Sequence, residues 1–339
     1  MILVRAPLRI SFIGGGTDLP GFYRKYPGRV ISTTIDKFVY LVIKPTKLVN
    51  RFIVKYQKTE VAKHPSELQH SRIRAALLHM NITDEGVEIG SFADIPAKSG
   101  LGSSSSFSVA LMKGLNTYVG KKISKYEAAN AAANLEIDLL KEPIGKQDQF
   151  IASFGGFNTL QFNSDESVDV TPVYLDYKKR AALEDHLLVF FTGITRDASS
   201  VLANQSALVP EKFEIYKKMS DSVMDFKKVL LAGDIRAMAL MLHEGWERKK
   251  QLSANVSSSV IDALYSEGVK AGAWGGKIAG AGGGGCLVFL THPSEKDSVR
   301  RALKKRAEEF GLGDFQEIPT RFTQSGTDIL FNSHNALVS

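Results

Sequence analysis

The chain has 339 residues, of which 44% are apolar and 23% are charged, and its formal net charge is +7. This length exceeds that of one ordinary hydrophobic core, so two domains or two packed lobes are expected, and the composition argues against extensive disorder. The basic residues are scattered in short runs without interleaved aromatic residues. That distribution disfavours nucleic-acid binding and suits a small anionic substrate.

The single cysteine, Cys286, excludes an intrachain disulfide, and its apolar surroundings predict a buried side chain. No apolar stretch approaches the roughly 20 residues that span a bilayer. Charge interrupts the first residues, Met1 to Arg5, which is not the pattern of a signal peptide. We therefore expect a cytoplasmic protein with neither a membrane nor a nucleic-acid partner. The oligomeric state is left open.

The first half of the chain is predicted to begin with strands. Apolar residues occupy every even position from Ile2 to Phe12, which is strand periodicity, and a glycine-rich loop follows at residues 14–18. Segments rich in β-branched and aromatic residues predict further strands at 30–43, 52–56 and 87–95.

Two helices are predicted after Pro96. The first begins at the serines 103–106, and its apolar residues recur on one helical face as far as Tyr118. The second begins at Ser124, which forms a capping-box pattern with Glu127. Proline and glycine should end this helix at 143–145.

The remaining segments mix strands and helices. Without strict alternation of strand and helix, the pattern favours an α+β fold, which we divide into lobes at 1–180 and 181–339. The predicted elements are strands at 157–162 and 186–192, helices at 211–232 and 235–251, a glycine-rich run at 275–285, a strand at 285–290, a helix at 295–310 and a last strand near 315–322.

The segment from Pro96 to Ser106 is the strongest local motif, because it is rich in glycine and serine and lies between a strand and a helix. Glycines let the backbone wrap a phosphate, and the first amides of the helix point at the anion. The lysine of a Walker P-loop is absent after the last glycine. The motif therefore predicts a phosphate-binding loop of another kind, with a flexible linker as the alternative.

Two acidic residues follow this loop, Glu136 and Asp148. Phosphoryl transfer needs a metal held by a carboxylate and often a second acid beside the attacking hydroxyl. The spacing of these acids is also compatible with two ordinary surface residues. Their position close to the glycine–serine loop favours the functional interpretation.

The third motif is the glycine-rich run, in which Gly280, Gly282 and Gly285 match the GxGxxG spacing of dinucleotide-binding folds. In dinucleotide-binding folds this motif follows a strand and opens a helix, whereas here the run precedes a strand. The order of elements therefore disfavours a dinucleotide-binding site. A tight loop that packs against the phosphate loop or the substrate is the better interpretation, and a purely structural turn is the alternative.

Together, in this order and at these separations, the three motifs resemble the superfamily of galactokinase, homoserine kinase, mevalonate kinase and phosphomevalonate kinase (the GHMP kinases) over nearly the whole chain. Residues 5–12, 14–20, 191–196 and 246–250 look most like the D-glycero-D-manno-heptose 7-phosphate kinases. The resemblance implies a two-lobed α+β fold, with ATP and substrate in the cleft. Its N-terminal lobe would resemble ribosomal protein S5 domain 2, and its C-terminal lobe would be ferredoxin-like.

The resemblance also implies roles for individual residues, with ATP and Mg²⁺ as cofactors. Ser104 and Glu136 match the family's magnesium ligands, and Asp148 matches the acid that orients or deprotonates the attacking hydroxyl. Arg9 occupies the place of the positively charged residue that stabilises charge developing during transfer. The loop that would bind ATP comprises Lys98, Ser99, Gly100, Leu101, Gly102, Ser103, Ser104, Ser105 and Ser106.

The implied substrate is a heptose 7-phosphate, phosphorylated at its anomeric hydroxyl on the way to nucleotide-activated heptose for a surface polysaccharide. Arg196, Lys249 and Lys250 are candidate anchors for the substrate's own phosphate. The other residues predicted on the substrate side are Gly15, Gly16, Thr17, Asp18, Gly282 and Gly283.

Three alternatives stay open at this point. A kinase for an unphosphorylated sugar of the fucose or galactose type would use the same fold and catalytic residues. A non-catalytic sugar or ATP sensor would keep binding without turnover, since folds of this kind can lose their chemistry. An NAD-dependent oxidoreductase rests only on the GxGxxG match.

Overall fold

The computed structural model describes residues 1–195 and 198–333. Its strands are Ile2–Ile13 (β1), Gly28–Pro45 (β2), Phe52–Lys55 (β3), Thr59–Ala62 (β4), Val87–Ala93 (β5), Phe157–Phe162 (β6), Val168–Pro172 (β7), Leu187–Phe191 (β8), Ala273–Ile278 (β9), Cys286–Thr291 (β10), Gln316–Glu317 (β11) and Asp328–Asn332 (β12). Its α-helices are Pro20–Tyr23 (α1), Ser71–His79 (α2), Ser103–Tyr118 (α3), Lys125–Ala133 (α4), Gln147–Phe154 (α5), Tyr177–His186 (α6), Ala198–Leu208 (α7), Phe213–Ala232 (α8), Ile235–Lys250 (α9), Ser259–Lys270 (α10) and Lys296–Glu309 (α11). A π-helix covers Asn134–Leu139, and short 3₁₀ turns lie at Pro65–Glu67, Ala254–Val256 and Pro293–Glu295.

The first sheet is organised around the long strand β2. Its first half pairs with β6 and its second half with β5, while β1 runs along its other side, in the order β12-β1-β2-β5-β3-β4. All of these pairs are antiparallel except β3 with β5. Helices α3 and α5 both contact β1 and β2. This packing brings the beginnings of both helices to the end of β1.

The second sheet has four antiparallel strands in the order β11-β8-β10-β9. One apolar cluster joins it to the first sheet, and its fully buried members include Phe12 and Ile31 from the first sheet, Val189 and Val288 from the second, and Phe226 from α8. Because the lobes share this core, residues from both are held in fixed positions around the space between them. The α+β prediction is confirmed.

Most predicted elements form, with boundaries displaced by a few residues. The capping box at the start of α4 is confirmed, because the Ser124 hydroxyl accepts from the Glu127 amide at 3.2 Å and the Glu127 carboxylate accepts from the Ser124 amide at 2.7 Å. Cys286 is fully buried as predicted, and burial raises the pKa of its thiol to about 12. Within the described residues, no helix is both long and apolar enough to cross a bilayer.

The predicted last strand near 315–322 is wrong. Only Gln316–Glu317 forms a strand there, and the last described strand is β12, which pairs with β1 in the first sheet. β12 is short, starts with an aspartate and keeps Leu330 and Phe331 partly exposed, so it lacks strong strand periodicity. The division at residue 180 remains a prediction.

Candidate functional site

A cavity of about 940 Å³ lies between the lobes. The first lobe contributes the end of β1, the loop between β5 and α3, and the beginning of α5; the second contributes α7, the end of α9 and the loop after β9. A volume of this size accommodates a nucleotide together with a small substrate.

The loop before α3 forms one wall of the cavity. Gly102 is the N-cap of α3 with φ of 78°, and the first amides of a helix have no partner within it. Their partial positive charge makes this end of α3 an anion site. The predicted loop residues that line the cavity are Lys98, Gly100, Gly102, Ser103, Ser104 and Ser105. Three others, Ser99, Leu101 and Ser106, are buried behind the lining.

The third motif packs directly on this loop. A Cβ on Gly280 would lie 2.8 Å from the Gly100 carbonyl oxygen, and one on Gly285 would lie 2.6 Å from the Ser99 carbonyl oxygen. The backbones of the glycine-rich run and of the loop before α3 are therefore in direct contact across the lobe boundary, which leaves no room for side chains at these glycines. The predicted packing of the glycine-rich run against the phosphate loop is confirmed.

Replacing Gly100 by alanine is expected to disrupt the loop, because the new Cβ would lie 2.7 Å from the Ala279 carbonyl oxygen. Gly120 is a matched control, since it has the same φ of +78° and no atom of the described residues lies within 4 Å of the added Cβ. Backbone strain is thus shared by both variants. We expect Gly100→Ala to raise the Kd for ATP about tenfold or more and Gly120→Ala to leave it unchanged, by titration calorimetry. Equal affinities would contradict this role of the packing.

Arg9 and Asp148 form a bidentate ion pair on the cavity wall. Arg9 Nε and Nη2 each lie 2.7 Å from an Asp148 carboxylate oxygen, and Nη1 donates to the Gly100 carbonyl at 2.6 Å. The register of β1 against β2 shifts between Pro7 and Arg9, and the Arg9 amide donates instead to the Leu101 carbonyl. The irregularity lets β1 bond to the phosphate loop, as β-bulges near active sites often do.

Asp18 holds the helix that carries Asp148. One Asp18 carboxylate oxygen accepts from the Gln147 amide at 3.1 Å; the other accepts from the Gln147 side chain at 3.0 Å and from the Gly16 amide at 3.1 Å. Burial, opposed by these bonds, raises the pKa of Asp18, and the nearby Asp148 carboxylate adds to the rise. Three of about four acceptor positions are therefore used, so Asp18 can accept at most about one bond from a substrate.

The other residues predicted on the substrate side differ in position. Gly15, Gly16 and Gly282 line the cavity, whereas Gly283 lies outside its lining. The buried Thr17 hydroxyl lies 2.8 Å from the carbonyl oxygens of both Gly14 and Arg29, so it closes a turn and does not face the cavity. Nothing in this geometry supports the predicted sugar contact of Thr17.

Glu136 lies on the π-helix Asn134–Leu139, a distortion that is frequent at functional sites. Its side chain is fully buried, lies at the cavity wall, and accepts from the Ser105 and Ser108 hydroxyls at 2.9 Å each. Ser104, the predicted partner, is exposed in the cavity lining. Carboxylate and hydroxyl oxygens suit Mg²⁺, so these residues fit the metal in donor chemistry. Of the serines 103–106, Ser105 is the one whose hydroxyl donates to Glu136 among the bonds that the described residues make.

Two buried lysines approach the ion pair from the second lobe. Lys249 Nζ donates to the Gly280 carbonyl, and Lys277 Nζ donates to the Ser11 and Phe12 carbonyls at 2.9 and 3.0 Å. Burial, with repulsion from Arg9, lowers the pKa of Lys249 to about 8. Burial and the charges of Lys249 and Arg9 lower the pKa of Lys277 well below its usual range. The site thus favours an additional anion.

The other two candidate anchors are not placed in the cavity lining. Lys250 is partly exposed on α9, and its Nζ lies 2.7 Å from the Glu247 carboxylate. Arg196 lies outside the described residues.

Three aromatic side chains, those of Tyr56, His70 and Phe107, also line the cavity. The rings of Tyr56 and His70 meet edge to face at 5.0 Å, and those of His70 and Phe107 stack at 5.2 Å. Burial and the nearby Arg72 lower the pKa of His70, which favours its neutral form. These rings offer an apolar surface to a flat ligand.

Sequence reasoning did not assign Lys277, Arg72 or the three aromatic residues to the site. Lys277 stands at the edge of the glycine-rich run, and that position is the only signal that points to it. Arg72 and the aromatic residues come from separate segments, α2, the end of β3 and α3, which only the tertiary fold brings together.

Comparison with known families gives two matches. A model described as the N-terminal domain of GHMP kinases matches residues 70–156, and one described as their C-terminal domain matches residues 226–309. The first match contains the phosphate loop, Glu136 and Asp148, and the second contains Lys249 and the glycine-rich run at 275–285.

Relatives align over nearly the full length. The chain is 27% identical to the D-glycero-alpha-D-manno-heptose 7-phosphate kinase of Campylobacter jejuni, over 96% of this chain and 97% of that protein. It is 26% identical to the galactokinase of Thermococcus kodakarensis, over 88% and 92%. A crystal structure of a D-glycero-D-manno-heptose 1-phosphate kinase from Bacteroides thetaiotaomicron is similar with a TM-score of 0.81 and 27% identity, over 98% and 99% of the two chains.

Proposed function

This chain belongs to the GHMP kinases, a family of ATP-dependent kinases, and we propose that its acceptor is D-glycero-D-manno-heptose 7-phosphate, phosphorylated at the anomeric hydroxyl. The product would be the 1,7-bisphosphate, a precursor of nucleotide-activated heptose for a surface polysaccharide. Two relatives that are named as heptose phosphate kinases support heptose as the sugar of the acceptor. One name gives the phosphate at position 7 and the other at position 1. The position is therefore part of the proposal.

The observation that carries the proposal is the ion pair of Arg9 and Asp148, which lies between the phosphate loop and the glycine-rich loop at residues 14–18. An acceptor hydroxyl bound beside Gly15 and Gly16 would meet the Asp148 carboxylate on one side and the γ-phosphate on the other. This arrangement provides the proximity that phosphoryl transfer requires.

In the reaction, the acceptor oxygen forms a bond to the γ-phosphorus while the bond from that phosphorus to the bridging oxygen of ADP breaks. The acceptor proton passes to Asp148 and from there to solvent. Because both Asp148 carboxylate oxygens are already bonded to Arg9, the main contribution of Asp148 is to orient the hydroxyl. An anomeric hydroxyl is more acidic than an ordinary alcohol, so its proton is lost more readily. Arg9 stabilises charge that develops on the phosphoryl group.

The nucleotide has a matching surface along the cavity. The α3 amides, the partly exposed Ser103 and the exposed Ser104 would bind its phosphates, and the rings of Tyr56, His70 and Phe107 would pack on its base. Mg²⁺ bound with ATP would neutralise phosphate charge during transfer. Glu136 would hold that metal, together with the serine hydroxyls at the start of α3.

The phosphate already on the acceptor needs a cation, and Lys249 is one of the two buried lysines beside the ion pair. Because its pKa is about 8, its ammonium group is present below that pH and is lost above it. We therefore expect kcat/KM for the acceptor to fall as the pH rises through about 8, mainly through a higher KM. Lys249→Met should raise the KM and abolish this fall in kcat/KM at high pH. Lys250→Met, which removes the neighbouring, partly exposed lysine outside the cavity lining, should leave the pH profile unchanged. A wild-type profile that stays flat to pH 9.5 would contradict the assignment.

A free sugar of the galactose or fucose type is the second candidate, and the galactokinase relative favours it. Initial rates with MgATP against heptose 7-phosphate, heptose 1-phosphate, galactose, fucose and mevalonate separate the candidates. We expect heptose 7-phosphate to give the highest kcat/KM by at least about tenfold. A preference for any other acceptor would overturn the proposed substrate, and ATP binding without turnover of any acceptor would favour a sensor.

A further inference from the structure

Arg72 links two acidic side chains at the cavity wall. It projects from α2, and its Nε donates to Glu136 Oε1 at 3.3 Å while its Nη2 donates to Glu142 Oε2 at 2.7 Å. Arg72 and Glu142 are partly exposed and line the cavity, whereas Glu136 is fully buried. The guanidinium therefore covers Glu136 from the cavity side.

The Glu136 carboxylate has its hydrogen-bonding positions filled. Oε1 accepts from Ser108 and Arg72, and Oε2 accepts from Ser105 and from the Gln149 side-chain amide. A carboxylate offers about four acceptor positions, and all four are used. A metal ion that coordinates Glu136 must therefore displace one of these donors.

Arg72 is the donor that a metal would displace. Ser105, Ser108 and Gln149 are neutral and buried on α3 and α5, and their contacts with Glu136 are shorter than that of Arg72. Arg72 also carries a positive charge, which repels a divalent cation that shares its carboxylate. Arg72 therefore makes the longest of the four contacts with Glu136 and is also the only charged donor among them.

We propose that Arg72 is an internal counter-ion that occupies the metal-facing side of Glu136 and so makes Mg²⁺ binding depend on nucleotide. Without nucleotide, the metal must compete with a tethered guanidinium. With ATP present, the phosphates give Arg72 an anionic partner that it binds in bidentate fashion, and Glu136 becomes available. By linkage, Arg72 makes metal and nucleotide favour each other's binding. The proposal rests on Glu136 being the metal ligand of the proposed kinase.

The test measures binding of Mn²⁺, as a paramagnetic probe, to the nucleotide-free protein by the loss of the free-ion signal in electron paramagnetic resonance. Arg72→Met and Arg72→Gln remove the charge, and each should bind Mn²⁺ at least about tenfold more tightly than the wild type. Arg74→Met is the matched control, because Arg74 lies on the same helix and donates to the Leu68 carbonyl. It should bind Mn²⁺ like the wild type. Adding Glu136→Gln to either Arg72 variant should abolish the increase in Mn²⁺ affinity.

Three results would overturn the proposal. The first is micromolar Mn²⁺ affinity of the nucleotide-free wild type, which needs no variant. The second is an Arg72 variant with a native thermal transition and no gain in affinity, and the third is a gain that persists when Glu136→Gln is added. All three are independent of the acceptor, so failure of the heptose assignment in the acceptor panel is distinguishable from failure of this proposal.

Discussion

Replacing Asp148 by asparagine is expected to lower kcat by about two to four orders of magnitude, the usual effect of losing an acid–base residue. Asparagine keeps the size of the side chain but cannot take up the acceptor proton, and it replaces a charged partner of Arg9 by a neutral one. Because Asp148 does not belong to the phosphate loop, the Kd for ATP should change little. Single-turnover rates with saturating MgATP and acceptor, together with ATP titration, measure both quantities.

Asp225→Asn is the control for this variant. Asp225 is an exposed carboxylate on α8 that pairs with Lys228, far along the chain from the site, and its loss should leave kcat within about twofold. Near-normal turnover by Asp148→Asn would remove Asp148 from the mechanism. A comparable loss of ATP affinity would instead place its effect in the structure of the site.

Replacing Arg9 by methionine is expected to lower both activity and stability. The substitution leaves the Asp148 carboxylate and the Gly100 carbonyl without their shared donor. Removing one partner of a fully buried ion pair costs about 3–5 kcal/mol, and because Asp148 is 23% exposed we expect a smaller loss of about 2–3 kcal/mol in the free energy of unfolding. kcat should fall by about two to three orders of magnitude, as for loss of an electrostatic transition-state contact.

Arg9→Lys should recover little of this loss, because an ammonium group cannot reproduce the bidentate contact and the bond to Gly100 together. The matched control is Arg5→Met on the same strand, whose guanidinium lies 3.8 Å from the more exposed Asp328. That variant should lose less than about 1 kcal/mol. Urea denaturation and initial rates measure both effects, and equal losses for Arg9→Met and Arg5→Met would contradict a special role for Arg9.

Elements with strong local signals could be predicted from the sequence. The alternating apolar residues of β1 and the capping box of α4 are determined by neighbours a few residues apart, so their patterns are visible in the chain. The phosphate loop could be located for the same reason, because glycines, serines and a helix start occur together.

Contacts between distant segments could not be predicted in this way. Arg72 reaches Glu136 across 64 positions in the chain, and Lys277 reaches the Ser11 carbonyl across 266. Each is an ordinary basic residue in its own segment. The short sequence of β12 does not predict a strand, because the position of β12 is determined by its pairing with β1.

For a related reason, the structure gives Thr17 a different role from the predicted one and gives Asp18 a structural role in addition, while the predicted substrate contact of Asp18, which lines the cavity, stays a prediction. Asp18 and Thr17 were placed in the site by motif resemblance, which gives position along the chain but not the direction of a side chain. In the structure Asp18 caps the start of α5, and Thr17 closes a turn with Gly14. Both support the site through the backbone that they hold.

The central claim is best tested by ³¹P nuclear magnetic resonance of a reaction containing the protein, MgATP and D-glycero-D-manno-heptose 7-phosphate. We predict that the ATP resonances are replaced by those of ADP, while a new phosphate resonance arises that is coupled to the anomeric proton and the 7-phosphate signal persists. An unchanged spectrum, while galactose or fucose is phosphorylated by the same preparation, would contradict the proposed acceptor.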